Sequence, residues 1–152
     1  MSLNTPKYIP YNPKLKDCII IDIDWTISHT DNRRWIYDYD KVYLDTFDPC
    51  MFKFLEQINI KNVIFITWRN ELCRNETYEW LGNKLPQNVR IYNLIMRKEW
   101  DKRPDDIVKK EIFELFIRNK YNVLAVFEDR DRVVKMYRNL WLLVFQVNYW
   151  DF

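Results

Sequence analysis

A chain of 152 residues with 48% hydrophobic residues is typical of one globular domain with a single core. Its formal net charge of +2 is too small to identify a nucleic-acid-binding protein by itself. The apolar runs are far too short to cross a bilayer, and the polar start, residues 1–17, lacks the apolar segment of a secretory signal. Three cysteines without metal-ligand spacing favour reduced thiols, and we therefore expect a cytoplasmic protein.

Apolar patterns predict strands that alternate with helices along the chain. We predict strands at 18–22, 62–67, 89–95, 122–128 and 142–147, and helices at 49–59, 70–84, 104–119 and 130–139. The third helix is predicted to bury one apolar stripe, made of Val108, Ile112, Leu115 and Phe116. Such alternation predicts a parallel sheet between two layers of helices, which is a three-layer α/β fold.

The stretch between Asp24 and Pro49 is polar and aromatic and has no strong periodicity. It is too short for a separate cap domain, so we expect a small loop or hairpin insert over the functional site. Its aromatic residues Trp35 and Tyr37 are candidates for stacking on nucleobases. Most other aromatic residues fall on predicted core stripes.

Two acidic residues, Asp22 and Asp24, follow directly after the apolar run 18–21. Residues two apart on an extended chain point the same way, so both carboxylates can converge on one cation or one phosphorus atom. This arrangement suits metal-assisted phosphoryl transfer through an aspartyl-phosphate. An isolated Asp-x-Asp more often only ends a strand, so further residues are needed to favour the functional interpretation.

Three further groups follow in the order expected of such a site. Thr67 ends the second predicted strand, Lys109 lies near the start of the third helix, and Glu128 and Asp129 end the fourth strand. Open parallel sheets bind ligands at the carboxyl ends of their strands. For Glu128 a purely structural role in the acidic loop stays open. With these motifs the chain resembles the haloacid dehalogenase (HAD) superfamily of phosphatases.

A narrower resemblance covers the chain from about Lys16 to its last residue. The segments that carry it are Lys98–Lys109, Phe127–Arg138 and Phe145–Phe152. They look like the 3′-phosphatase domain of phage polynucleotide kinase/phosphatase. The resemblance implies an HAD-like (Rossmannoid) three-layer sandwich with a central parallel sheet and only a small cap insert. It divides the chain into an N-terminal extension, residues 1–16, and one phosphatase domain, residues 17–152.

The resemblance also implies the roles of individual residues. Asp22 would attack phosphorus, and Asp24 would protonate the leaving sugar oxygen and then activate water. A Mg²⁺ cofactor would be held by Asp22, the main-chain carbonyl of Asp24, and Asp129. Thr67 and Lys109 would bind the oxygens of the transferring phosphoryl group.

Further residues match substrate-binding positions of the family. Arg69 and one of Arg33 and Arg34 match arginines that bind the substrate phosphate, and the sequence does not choose between the latter two. Asp105 lies one helical turn before Lys109, where it could orient that lysine or its loop.

The resemblance implies a phosphatase for the 3′-phosphorylated end of DNA or RNA, acting beside a separate kinase or ligase and away from membranes. The single glycine, Gly82, and the lack of a Gly-Lys-Ser/Thr loop predict no kinase domain in this chain. Two alternatives stay open. One is a phosphatase for a small phosphomonoester such as a nucleotide, and the other is a catalytically inactive module that binds nucleic-acid ends.

The composition has one anomaly, a single glycine beside seven tryptophans. Five tryptophans stand where the resembled family has glycine, namely Trp25, Trp68, Trp100, Trp141 and Trp150. Our hypothesis is that a codon meaning glycine in the source organism, UGA being the obvious candidate, has been translated as tryptophan. The competing interpretation is a real tryptophan-rich variant whose indoles line the active site.

Overall fold

The computed structural model describes residues 7–150, with only the backbone described for the last two. The strands are β1 (Lys16–Ile21), β2 (Ser28–His29), β3 (Thr46–Phe47), β4 (Val63–Asn70), β5 (Ile91–Arg97), β6 (Tyr121–Arg130) and β7 (Val144–Trp150). The α-helices are α1 (Pro49–Gln57), α2 (Arg74–Lys84), α3 (Asp105–Ile112) and α4 (Asp131–Asn139). Short 3₁₀ turns cover Tyr39–Leu44 and Glu71–Cys73, and a π-helical turn covers Phe113–Ile117.

Five strands of the described region form one sheet in the order β5-β4-β1-β6-β7, and every neighbouring pair is parallel. The predicted central parallel sheet is thus confirmed, with strand ends within three residues of the predicted ones. The chain first adds strands on one side of β1 and then places β6 on its other side. This reversal makes a crevice at the carboxyl end of β1, where open α/β sheets bind ligands.

Side chains of β1 alternate between two cores, one on each face of the sheet. Ile19 and Ile21 pack in the cluster that contains residues of α1 and α2, whereas Cys18 and Ile20 pack with residues of α3 and α4. All four are essentially inaccessible to solvent. Since burying one such isoleucine contributes about 1.5–3 kcal/mol, a strand buried on both faces is a strong organiser of the three layers.

The predicted stripe of the third helix is wrong in its second half. Val108 and Ile112 are buried, but Leu115 and Phe116 are 65% and 50% exposed. The reason is the π-helical turn, in which the amide of Arg118 donates to the carbonyl of Phe113 at 2.8 Å. Hydrogen bonds to the fifth residue back widen the turn, so the buried residues there are Phe113 and Ile117.

The insert after β1 is a small cap, as predicted. Strands β2 and β3 form an antiparallel hairpin, and the 3₁₀ turn Tyr39–Leu44 lies between them. The cap is fixed to α2, because Trp80 Nε1 donates to the carbonyl of Asp45 at 2.9 Å and its ring stacks on Phe47 at 5.7 Å. The cap therefore has a defined position above the carboxyl end of the sheet.

Residues before β1 contact the far end of the domain. The amide of Ile9 donates to the carbonyl of Trp141, and the side chain of Asn122 exchanges hydrogen bonds with the main chain of Asn12. The division of the chain at residue 16 stays a prediction. Within the described region, no helix is long and apolar enough to cross a membrane.

Two of the five anomalous tryptophans have a left-handed backbone conformation. Trp25 has φ of 62° and Trp141 has φ of 65°. Side chains with a Cβ atom rarely adopt this region, whereas glycine enters it without cost. Trp68 and Trp100 do not have a positive φ, and the side chain of Trp150 lies outside the described residues. The backbone thus favours glycine at positions 25 and 141.

Replacing Trp141 with glycine tests this conformational strain. The left-handed conformation costs a residue with a Cβ atom about 1–2 kcal/mol, and the Trp141 ring is 52% exposed. We expect Trp141→Gly to raise the midpoint of thermal unfolding, and Trp100→Gly, at an exposed position without positive φ, to lower it slightly. Equal effects of both substitutions would show that the strain at position 141 is negligible.

Candidate active site

The register of the sheet brings the predicted acidic residues together. Ile21 pairs with Phe127 of β6, and the amide of Asp22 donates to the Phe127 carbonyl at 3.0 Å. Asp22, Glu128 and Asp129 are buried, and one carboxylate oxygen from each lies within 4.8 Å of the others. The acidic groups at the ends of β1 and β6 therefore form one cluster.

Lys109 extends from α3 into this cluster. Its Nζ donates to Asp22 Oδ1 at 2.6 Å and to Glu128 Oε2 at 2.7 Å, and the residue is 2% exposed. Burial alone would lower the pKa of Lys109, but the carboxylates of Asp22 and Glu128 outweigh it and hold the pKa well above its usual value. The ammonium group has three N–H donors, so one is left for a ligand of the pocket.

The carboxylates of this cluster carry more negative charge than Lys109 can balance. Burial, then the nearby Glu128, raise the pKa of Asp22 to about 8 despite Lys109. Burial also raises the pKa of Glu128 to about 7 and, with the charge of Asp22, that of Asp129 to about 6. A hard divalent cation would relieve this repulsion, and carboxylate oxygens are the ligands it prefers.

The donor set fits a cation held mainly by Asp22 and Asp129. Glu128 is already engaged, because Oε2 accepts from Lys109 and Oε1 accepts from the amides of Asp129 and Arg130 at 3.3 and 3.2 Å. Asp22 uses Oδ1 for Lys109, and Asp129 uses Oδ1 for the hydroxyl of Thr26. Glu128 thus orients the lysine, which favours a role beyond shaping the loop.

Asp24 is held by a different cation, Arg69. The Arg69 guanidinium donates to both carboxylate oxygens of Asp24 at 2.7–3.1 Å, and the Thr67 hydroxyl approaches Oδ2 at 3.4 Å. Burial raises the pKa of Asp24, but Arg69 outweighs it and lowers the pKa below its usual value. The two aspartates of the motif therefore have opposite electrostatic environments.

Asp45, in the cap, is a residue that sequence reasoning missed. Its carboxylate is buried and accepts from Arg34 Nε and Nη2 at 2.6 and 2.7 Å and from Arg69 Nη2 at 2.7 Å. The Ser28 hydroxyl also donates to it at 3.0 Å. Nothing in the sequence singles out this acid within a polar stretch, because its importance depends on two distant arginines.

The structure distinguishes the two neighbouring arginines. The Arg34 side chain is 3% exposed and lines the pocket, whereas the Arg33 side chain is 44% exposed and pairs with Asp31 at the surface. Asp105 does not contact Lys109 in the described hydrogen bonds. Its Oδ2 accepts from Arg130 Nη1 at 2.8 Å, so Asp105 positions another cation beside the pocket.

A pocket of about 130 Å³ opens between the cap and the carboxyl end of the sheet. The predicted residues that line it are Asp22, Asp24, Arg34, Arg69, Asp105, Lys109 and Asp129. Thr67 does not line the pocket itself, but its hydroxyl contacts two residues that do, Asp24 at 3.4 Å and the amide of Arg69 at 3.1 Å. The wall combines cations with carboxylates around a small volume, which suits a phosphate group more than a large apolar ligand.

Together, the sheet topology and the order of these groups along the chain define the HAD class of phosphatases. The family model described as the polynucleotide kinase PNKP phosphatase domain matches residues 16–152, and the chain belongs to this family. The likeness stated from the sequence is thereby confirmed.

Individual relatives are longer than this chain. A putative bifunctional polynucleotide kinase/RNA ligase of Autographa californica nuclear polyhedrosis virus is 32% identical over 143 residues, which are 90% of this chain and 20% of that protein. Two structures of Pnkp1/Rnl/Hen1 complexes, one described as an RNA repair complex, contain chains with a TM-score of 0.84 and identities of 32% and 31%. The alignments cover 99% and 100% of this chain but only 48% and 53% of those chains.

Asp45 is expected to be a principal stabiliser of the pocket. Asp45→Asn would leave two buried guanidinium groups without their shared charge partner, and breaking a buried ion pair costs about 3–5 kcal/mol. We expect a large fall in the free energy of unfolding measured by denaturant titration. The matched control Asp31→Asn breaks an exposed pair with Arg33 and should cost less than about 1 kcal/mol. A small effect at Asp45 would contradict this assignment.

Proposed function

We propose that this chain removes the terminal phosphate from the 3′ end of a nucleic acid, using Mg²⁺ and an aspartyl-phosphate intermediate. The observation that carries the proposal is the buried contact of Asp22 with Lys109 at 2.6 Å, beside Asp129 and open to the pocket. It provides a carboxylate nucleophile, a phosphate-binding cation and a metal ligand in one place. The family membership and the RNA repair context of the structural relatives support a polynucleotide substrate.

In the first step, an Asp22 carboxylate oxygen forms a bond to phosphorus and the bond to the sugar 3′ oxygen breaks. Asp24 gives its proton to that oxygen. In the second step, Asp24 takes a proton from water, whose oxygen attacks phosphorus and releases inorganic phosphate and free Asp22. Both carboxylates return to their starting state.

The pairing of Asp24 with Arg69 has a consequence for this proton transfer. In the free protein Arg69 lowers the pKa of Asp24, which therefore ionises easily. A phosphate that binds Arg69 would compete for its positive charge and allow the pKa of Asp24 to rise. Arg69 lines the pocket, and its Nη1 is buried without a hydrogen-bond partner among the described residues, so a small movement of the guanidinium would bring an unused donor to that phosphate. Substrate binding would thus prepare Asp24 as the acid.

The remaining residues bind charge. Lys109 has one N–H left for a phosphoryl oxygen, Arg34 lines the same pocket, and Thr67 donates its hydroxyl beside Asp24. Asp22 and Asp129, with the Asp24 carbonyl, would hold Mg²⁺, which when bound neutralises part of the charge on the phosphoryl oxygens.

The names of the relatives also suggest partners. One viral relative is named as a putative polynucleotide kinase and RNA ligase, and one structural relative belongs to an RNA repair complex. These names support the proposal that this phosphatase works with separate end-healing or end-joining activities. A 3′-hydroxyl is what such a ligase or a polymerase would need.

The function is tested by Mg²⁺-dependent phosphate release from a 3′-phosphorylated oligonucleotide. We expect release by the protein and at least about a thousandfold loss with Asp22→Asn, which removes the nucleophile but keeps its size. The assay is run in parallel on a chain with glycine at positions 25, 68, 100, 141 and 150. Release only from a mononucleotide or another small phosphomonoester would instead favour a small-molecule phosphatase, and binding without any release would favour an inactive end-binding module.

Metal binding is predicted to depend on pH through the acidic cluster. Because the folded-state pKa of Asp22 is raised to about 8, the folded protein holds a proton that the unfolded chain releases. Without metal, the contribution of Asp22 to stability is therefore lost as the pH rises from about 4 towards about 8. Mg²⁺ replaces that proton, so we expect it to raise the unfolding temperature more at about pH 8 than at about pH 5.

The control for the metal experiment is Asp129→Asn, which removes one ligand and should abolish most of the Mg²⁺ effect at the higher pH. An equal Mg²⁺ effect at both pH values, or one that survives Asp129→Asn, would argue against a metal in this cluster.

A further inference from the structure

The rim of the active-site pocket carries three consecutive exposed apolar residues. Trp35, Ile36 and Tyr37, here called the aromatic lip, are 66%, 52% and 58% exposed. The ring centroids of Trp35 and Tyr37 lie 6.0 Å apart, and Ile36 and Tyr37 line the pocket. Folding alone does not explain why three consecutive large apolar side chains are exposed at the mouth of a charged pocket.

The lip is attached directly to the proposed phosphate-binding cations. Arg34 Nη1 donates to the carbonyls of Trp35 and Ile36, each at 3.2 Å. The other nitrogens of the same guanidinium donate to the buried carboxylate of Asp45. A turn closed by the Asp38 amide and the Trp35 carbonyl at 2.9 Å follows. The main chain that carries the rings is therefore held beside the pocket, as a recognition surface requires.

We propose that the aromatic lip stacks on the unpaired nucleobases next to the 3′-terminal phosphate, so that the preferred substrate is a single-stranded or frayed 3′ end. This inference rests on the proposed function, because it assumes that the terminal phosphate enters the pocket. Aromatic rings stack on every kind of base, so the lip binds without regard to sequence. In a duplex end the bases are paired and stacked on one another, so only the outer face of the terminal pair is free.

The position of the lip favours nucleobases over a protein partner. The groups that follow a terminal phosphate along a nucleic acid are its sugar and base, which must leave the pocket over its rim. Two neighbouring rings match two flat ligands better than they match a broad apolar surface, which would need many more exposed residues. The lip itself, Trp35–Tyr37, carries no charged side chain, so affinity there comes from stacking.

The experiment measures binding separately from catalysis. The Kd is measured by fluorescence anisotropy for a labelled, single-stranded, 3′-phosphorylated oligonucleotide. The protein carries Asp22→Asn, alone or combined with Trp35→Ala, Tyr37→Ala or both. Each ring is expected to contribute about tenfold in Kd or more, and Trp35→Phe should retain most of the affinity. The matched control is Tyr43→Ala, since Tyr43 is 69% exposed in the same cap but does not line the pocket.

In the catalytically competent protein, the same lip substitutions should raise KM for the oligonucleotide about tenfold or more, with little change in kcat. Turnover of β-glycerol phosphate, which has no ring to stack on the lip, should not change. A fully paired blunt duplex should bind more weakly than the single strand and be less sensitive to the substitutions.

The outcomes separate the two proposals. If the double variant releases phosphate from the oligonucleotide with unchanged Kd and KM, the proposed role of the lip is wrong and the phosphatase function stands. Equal losses with Tyr43→Ala, or equal losses on β-glycerol phosphate, would also overturn it. Loss of binding in the lip variants without any release by the unsubstituted protein would contradict the phosphatase function but support the lip as a binding surface.

Discussion

The structure depends on the balance of buried charge at the carboxyl edge of the sheet. Buried charges are stable only when they are paired, and Lys109 pairs with Asp22 after β1 and Glu128 on β6. This one ammonium group therefore joins α3 to two neighbouring strands. Asp45 does the same for the cap, because Arg34 and Arg69 both converge on its carboxylate. The carboxylates around Lys109 exceed its single charge, and the guanidinium groups of Arg34 and Arg69 lie beside the same pocket. The pocket therefore offers ligands for a metal and donors for a phosphate side by side.

The sequence predicts the parts of this molecule that depend on local patterns. Apolar runs followed by polar residues locate the strands, and parallel strands bring Asp22, Lys109 and Asp129 together without further information. The sequence fails where a residue depends on distant partners. Asp45 has no local signal, and the choice between Arg33 and Arg34 is made only by which side chain reaches that carboxylate. Leu115 and Phe116 fit an α-helical stripe, but the π-helical turn buries Phe113 and Ile117 instead.

At the tryptophan positions, backbone conformation helps to decide which residue the source codon specifies. Trp25 and Trp141 occupy the left-handed region, which is open to glycine and costly for an indole-bearing residue. Trp25 also lines the pocket, and its carbonyl accepts from Asn148 at 2.7 Å. These positions favour the hypothesis of a codon that means glycine, while Trp68 and Trp100 are compatible with either residue. The left-handed backbone at positions 25 and 141 is a property of each turn, whichever residue stands there.

In the proposed function, a single segment of the cap would connect phosphate recognition with base recognition. Arg34 faces the pocket, and the carbonyls it binds belong to the exposed residues Trp35 and Ile36. The two kinds of recognition nevertheless act at different stages. In the proposed reaction, cations in the pocket would contact the group whose charge changes and would stabilise the transition state, whereas stacking outside the pocket would be equal in the ground and transition states. Stacking would therefore improve substrate capture without altering the chemical step, and a small pocket with an aromatic rim would act on the end of a polymer without a large cap domain.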